Sequence, residues 1–157
     1  VEVRSAQIRS VEELMSLLHA CRGARDTADR GGGPVDLHDH ALQTAHSLRR
    51  SHPADKELQV AGLVHVLGHL LHPGDDAGHA RHAASAVRPL LGARVARLVE
   101  LHVPAAEAAV FMDGPDAESA LTLRQADDAA RVVGLDAGVM EDWRPVLELV
   151  SYQAAGA

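Results

Sequence analysis

Apolar positions recur along this chain at helical spacing, and no segment sustains the alternation expected of a strand. Ser10 to Glu13 (SVEE) has the form of a capping box, and Leu14, Leu17, Leu18 and Cys21 follow as an apolar series. A first helix is therefore predicted to run to about Cys21. The glycine-rich stretch TADRGGGPVD opposes helix and predicts a flexible connection. A second helix begins near Asp36 and carries HDHALQTAHSLRR, and a third follows HPADKE, with Pro53 and Asp55 at its start. The loop HPGDDAG separates that helix from a fourth, from about His79 to Leu91, and a fifth covers Ala93 to His102. FMDGPDAES reads as a break and ALTLRQADDAARVV as a helix that Gly134 closes. EDWRPVLELVSYQ gives the last helix, where Pro145 is tolerated only near the start. The pattern predicts an all-α fold, one domain over residues 1–157 built as a bundle of about six to seven helices.

Within the third predicted helix, AGLVHVLGHLL (Ala61 to Leu71) sets two histidines four residues apart in an otherwise apolar segment. A buried imidazole without a partner costs free energy, so histidines in such a setting call for a ligand or a hydrogen bond. As one continuous helix the segment would put His65 and His69 on a common face, with His72 near it one turn on. The chain holds 11 histidines, most of them between His38 and His102, and this concentration points to a metal site.

Composition narrows the picture. A chain of 157 residues can bury a core that folds without disulfides, and the single cysteine, Cys21, excludes an intramolecular bridge and fits a reducing compartment. Cys21 lies on the apolar stripe of the first helix, where a core role is expected rather than a nucleophile. VEVRSAQIRS has no continuous apolar run, so no signal peptide is expected, and the run from Leu58 to Leu71 is too short to span a bilayer. A soluble, cytoplasmic protein with no membrane partner is the expectation. The net charge of −7 argues against nucleic acid, whose binding rests on excess Lys and Arg. Phe111, Trp143 and Tyr152 are the only aromatic residues, so the core must come from Leu, Val and Ala, and no base-stacking platform is apparent. The glycine loop lacks the Lys and Ser/Thr of a phosphate cradle.

With the helices placed, the order of histidines resembles the HD-domain superfamily. The closest resemblance is to its mixed-valence di-iron oxygenase branch, which holds the phosphonate-cleaving HD-domain oxygenases and, more distantly, myo-inositol oxygenase. The matching strings are VDLHDHALQTA, LVHVLGHLL, HARHAASAVRPLLGARVARLVELHV and LTLRQADDAAR, covering most of Val35 to Arg131. The resemblance implies an HD-type bundle around a central metal site, with His40, His65 and Asp127 as ligands of one ion and His79 and His102 as ligands of a second. His82, three residues from His79, competes for the latter role, and HARHAA followed by LLG favours His79. His69 is implied to face substrate rather than metal.

The departures carry equal weight. Where the family has the aspartate that bridges both metals, this chain has Val66. The Tyr and Glu that close over substrate fall at Arg30 and Gly33, and the lysine that would hold a phosphonate falls at Ala106. Arg131 replaces the usual Lys one turn after Asp127, and the connection from His102 to Asp127 is shorter than in the phosphonate oxygenases. These losses argue against the parent reaction on the parent substrate.

Two histidines and one carboxylate form the ligand set that leaves positions open on ferrous iron. A half-site of two neutral imidazoles lacks the negative charge of a bridging carboxylate, so one firm iron site and one weaker site are expected. The function expected is a divergent non-haem iron oxygenase acting on a small polar metabolite. The alternatives are a degenerate relative that binds a ligand or partner protein in the old cleft, and a metal-dependent phosphohydrolase. Asp36, Asp39, Asp75 and Asp76 are candidate substitute carboxylates, although acids near helix starts more often serve as caps. His19, His46, His52 and His72 are expected at the surface or its boundary.

Overall fold

A computed structural model of the chain describes residues 7–24, 35–73, 78–102 and 115–156. Helix α1 spans Val11–Ala20, and its start is capped as the sequence predicts, with Ser10 Oγ accepting from Glu13 N at 3.1 Å. Helix α2, Leu37–Ser51, is capped by Asp36, and α3, Lys56–Val64, by Asp55, each carboxylate accepting from an N–H of the first turn. Helix α4 covers Leu67–Leu71, α5 His79–Leu91 and α6 Ala93–Leu101. Helix α7 is Pro115–Ala129, a short 3-10 turn follows at Met140–Trp143, and α8 is Arg144–Gly156. Among the described residues there is no strand, and the fold is all-α.

Two elements depart from the sequence pattern, both for reasons that bear on the site. The third predicted helix is two, because the chain breaks at His65 and Val66. In a continuous helix the Gly62 carbonyl would accept from the N–H four residues on. Here the His65 ring takes that carbonyl instead, Nδ1 donating to Gly62 O at 2.6 Å, and helix resumes only at Leu67. His65 and His69 therefore belong to separate helices rather than to one continuous face.

Helix α7 begins at Pro115, inside the stretch read as a break, and ends at Ala129, short of Gly134. Asp116 and Glu118 favour that start, where acids meet the positive end of the helix dipole. Its end is set by α2. His40 Nδ1 donates to Ala130 O at 2.6 Å, while Gln43 donates to Val132 O at 2.8 Å and accepts from Val132 N at 3.0 Å. Side chains three residues apart on one helix thus take the backbone groups that a longer α7 would need.

Helices α5 and α6 form a tight hairpin joined by Gly92 alone, at φ +96, a left-handed conformation that favours glycine. Helix α3 packs between α2 and α6, and α7 lies across α2, α3 and α6. Where α4 crosses the start of α5, a Cβ on Gly68 would lie 1.8 Å from the His79 carbonyl oxygen, so only glycine permits the approach. The core is aliphatic, as the composition requires, with Leu14, Leu18, Leu48, Leu58, Leu63, Leu98 and many alanines buried. Trp143 is buried under the Arg49 guanidinium, 4.7 Å from the ring. Among the described residues no helix is long and apolar enough to cross a membrane. Cys21 is buried in the core, and burial pushes its thiol up to about 12, which makes it a poor nucleophile.

Candidate metal centre

The cluster is assembled from four helices. His40 projects from the first turns of α2, His65 caps the end of α3, His102 caps the end of α6, and Asp127 sits in the last turn of α7. In each of the three histidines Nδ1 faces a backbone carbonyl, Ala130 O for His40, Gly62 O for His65 and Val99 O for His102, at 2.6, 2.6 and 2.5 Å. A carbonyl can only accept, so in each ring Nδ1 carries a proton, and Nε2 is the nitrogen turned to the cluster, free to take a metal once its own proton leaves. A backbone partner of this kind orients a metal-ligating histidine and fixes its tautomer.

The Nε2 atoms of His40 and His65 converge on a carboxylate. His40 Nε2 lies 2.6 Å and His65 Nε2 3.1 Å from Asp127 Oδ1, and the two nitrogens are 3.3 Å apart. Positive charge between these atoms holds them together, carried by an Nε2 proton donated to Asp127 Oδ1 when no ion is bound and by a metal ion when one replaces it. Two ligands about 2.1 Å from a shared ion, at angles from 90° to tetrahedral, stand about 3.0–3.4 Å apart. His65 and Asp127, and His65 and His40, meet that spacing; His40 and Asp127 are somewhat closer. The donor set fits a divalent cation.

The surroundings keep Asp127 an anion, as a metal ligand must be. Burial alone would raise the Asp127 carboxyl, but the facing imidazoles of His65 and His40 outweigh it and hold it well below the usual carboxylate range. Burial first, then the neighbouring His65, pushes His102 down to about 3, so its imidazole is neutral at physiological pH. Arg131, just past the end of α7, brings a guanidinium nitrogen to 3.9 Å from Asp127 Oδ1.

The remaining histidines extend the cluster outward. His102 lies edge-to-face with His65 at 5.1 Å between ring centroids and with His79 at 5.8 Å. His69 stacks on His79 at 4.0 Å. His82 stacks on His72 at 3.6 Å, further along the α4 and α5 contact, so on this geometry His79 and not His82 faces His102. His19 and His52 are exposed, and His46 and His72 are partly buried. Val66 is buried, with an isopropyl group that offers no ligand. Asp36 accepts from Asp39 N and Gly23 N, and the exposed Asp39 approaches His38 Nδ1 at 3.1 Å, so both are spent outside the cluster. Arg30, Gly33, Asp75, Asp76, Ala106 and Phe111 lie outside the described residues.

Sequence reasoning missed that His102 reaches Asp127, with Nε2 3.7 Å from Oδ2. It also missed the paired rings across α4 and α5. The second was readable in principle, because His69 and His72 on one side of the loop match His79 and His82 on the other at the same three-residue spacing.

Comparison with known proteins bears on the same residues. The family described as Myo-inositol oxygenase matches residues 2–82, a stretch that includes His40, His65, His69 and His79. The hydroxymethylphosphonate dioxygenase of Gimesia maris is 28% identical over 151 aligned residues, covering 70% of this chain and 75% of that protein. The family match takes in half of the chain and its first histidines, and the all-α fold brings the remaining ligand candidates to them: this chain belongs to the myo-inositol oxygenase family.

Proposed function

We propose that this protein is a non-haem iron enzyme of the oxygenase type that acts on a small polar metabolite in the cytoplasm. In this reading His40, His65 and Asp127 hold one ion, and His79 and His102 form the half-site for a second. The observation that supports it most is the convergence of two ring nitrogens and one ionised carboxylate oxygen within 2.6–3.3 Å of one another. A ferrous ion in such a set, with coordination positions left open, supplies the means of activating oxygen.

The chain's own residues do the rest. The backbone carbonyls of Ala130, Gly62 and Val99 hold the three rings in one tautomer and orientation. In this reading His69, stacked on His79 and only partly buried, contacts the substrate, and Arg131 supplies positive charge beside Asp127. The relative's substrate is a phosphonate by name, but Ala106 lacks the cation that would hold one, so an uncharged or weakly acidic polar molecule fits better.

Protein purified anaerobically and loaded with ferrous iron should consume oxygen with one of a panel of small polyols and hydroxy acids, tested beside myo-inositol and hydroxymethylphosphonate. Consumption should vanish in His40→Ala. A second reading, a non-catalytic relative that binds a ligand in the old cleft, is favoured by the buried isopropyl at Val66. Stoichiometric iron with no oxygen uptake on any substrate would decide for it.

A further inference from the structure

We infer that Asp127 bridges two metal positions, taking over the role that Val66 cannot fill. The inference rests on the metal-binding reading above and deepens it. The two oxygens of this carboxylate face different histidines. Oδ1 meets His40 and His65 at 2.6 and 3.1 Å, and Oδ2 lies 3.7 Å from His102 Nε2.

His102 is not on this path by accident of packing. Its Nδ1 is committed to Val99 O at 2.5 Å and its side chain is 1% exposed, so Nε2 is bare and confined to the cluster. Two ligands about 2.1 Å from one ion span about 3.6 Å when they meet it at an angle near 120°. The His102 to Oδ2 separation matches that span. His79, edge-to-face with His102 at 5.8 Å, is the second imidazole of the same half-site.

Charge supplies the reason a bridge is needed. Two divalent ions about 3.5–4 Å apart, as in known two-metal sites, repel each other strongly in a buried cavity. Neutral imidazoles do not offset that repulsion. A carboxylate between the ions does, and among the described residues Asp127 is the carboxylate whose two oxygens face both histidine groups. The second ion then depends on Asp127 and on the first ion, so the two bind together.

Manganese(II) is the probe. The metal-free full chain, titrated with Mn(II), is followed by elemental analysis after desalting and by electron paramagnetic resonance. The inference expects about two ions per chain with the spectrum of an exchange-coupled pair. It expects His102→Ala to hold about half as much metal, with the six-line signal of an isolated ion. His102→Asn, whose amide can still donate towards Val99 O, guards against a folding defect and should behave as His102→Ala does. One uncoupled ion in the wild type, unchanged in the His102 variants, would overturn the bridge and leave the metal-binding reading standing. Two uncoupled ions, or a coupled pair that survives loss of His102, would also overturn it. A wild type that binds no manganese and no iron would remove both.

Discussion

His65 and His102 are built alike. Each caps the end of a helix, donates Nδ1–H to the carbonyl three residues back, and turns Nε2 towards Asp127. Burial keeps the His102 ring neutral down to about 3, whereas in the unfolded chain a histidine titrates near ~6.5. Between those values the unfolded chain binds the extra proton, so the contribution of this residue to stability is present above the unfolded value and is lost as pH falls. Asp127, whose carboxyl is depressed in the folded state, contributes stability that is lost only at lower pH still, below its ordinary value of ~3.8. The melting temperature of metal-free protein, measured in chelator from neutral pH down to the carboxylate range, should therefore fall on acidification. His102→Asn should flatten that fall. Parallel curves for the two proteins would contradict the assignment.

At the scale of elements, Gly68 is the position where one atom decides the packing. Helix α4 is short and gains its place by lying on the start of α5, with His69 stacked on His79 as a result. A methyl group at residue 68 would meet backbone, which cannot swing aside. Gly68→Ala should cost about 1–3 kcal/mol in urea unfolding, the usual penalty of overpacking, and should weaken metal binding at the His79 side. Gly156→Ala, where nothing lies within 4 Å, serves as the neutral comparison. Equal stability of the two variants would mean that α4 does not press on α5. Most helix positions were legible in the sequence because caps and apolar spacing act locally: Ser10, Asp36 and Asp55 each start a helix as read. The misread ends, at His65 and after Ala129, share one cause. There a side chain takes a backbone carbonyl from the helix, through His65 itself in one case and through His40 on a distant helix in the other, and no local pattern reports such a competition.

Across the whole molecule, His40 and Asp127 are 87 residues apart in sequence and 2.6 Å apart in space. Their meeting was anticipated only from the resemblance to the family, since hydrophobic periodicity places helices but not the partners they choose. The approach of His102 to Asp127 was not anticipated, because it depends on where α6 ends against α7. An ion held by the folded cluster and not by the unfolded chain stabilises the fold, so metal should also raise the melting temperature of the chain. The most direct test is the metal content of the wild type, purified without chelator, beside Asp127→Ala, His40→Ala and His52→Ala. We expect at least about one ion per chain in the wild type and in His52→Ala, and almost none in the other two while their helical circular dichroism persists. A metal-free wild type, or folded Asp127→Ala and His40→Ala proteins that keep their ion, would contradict the account.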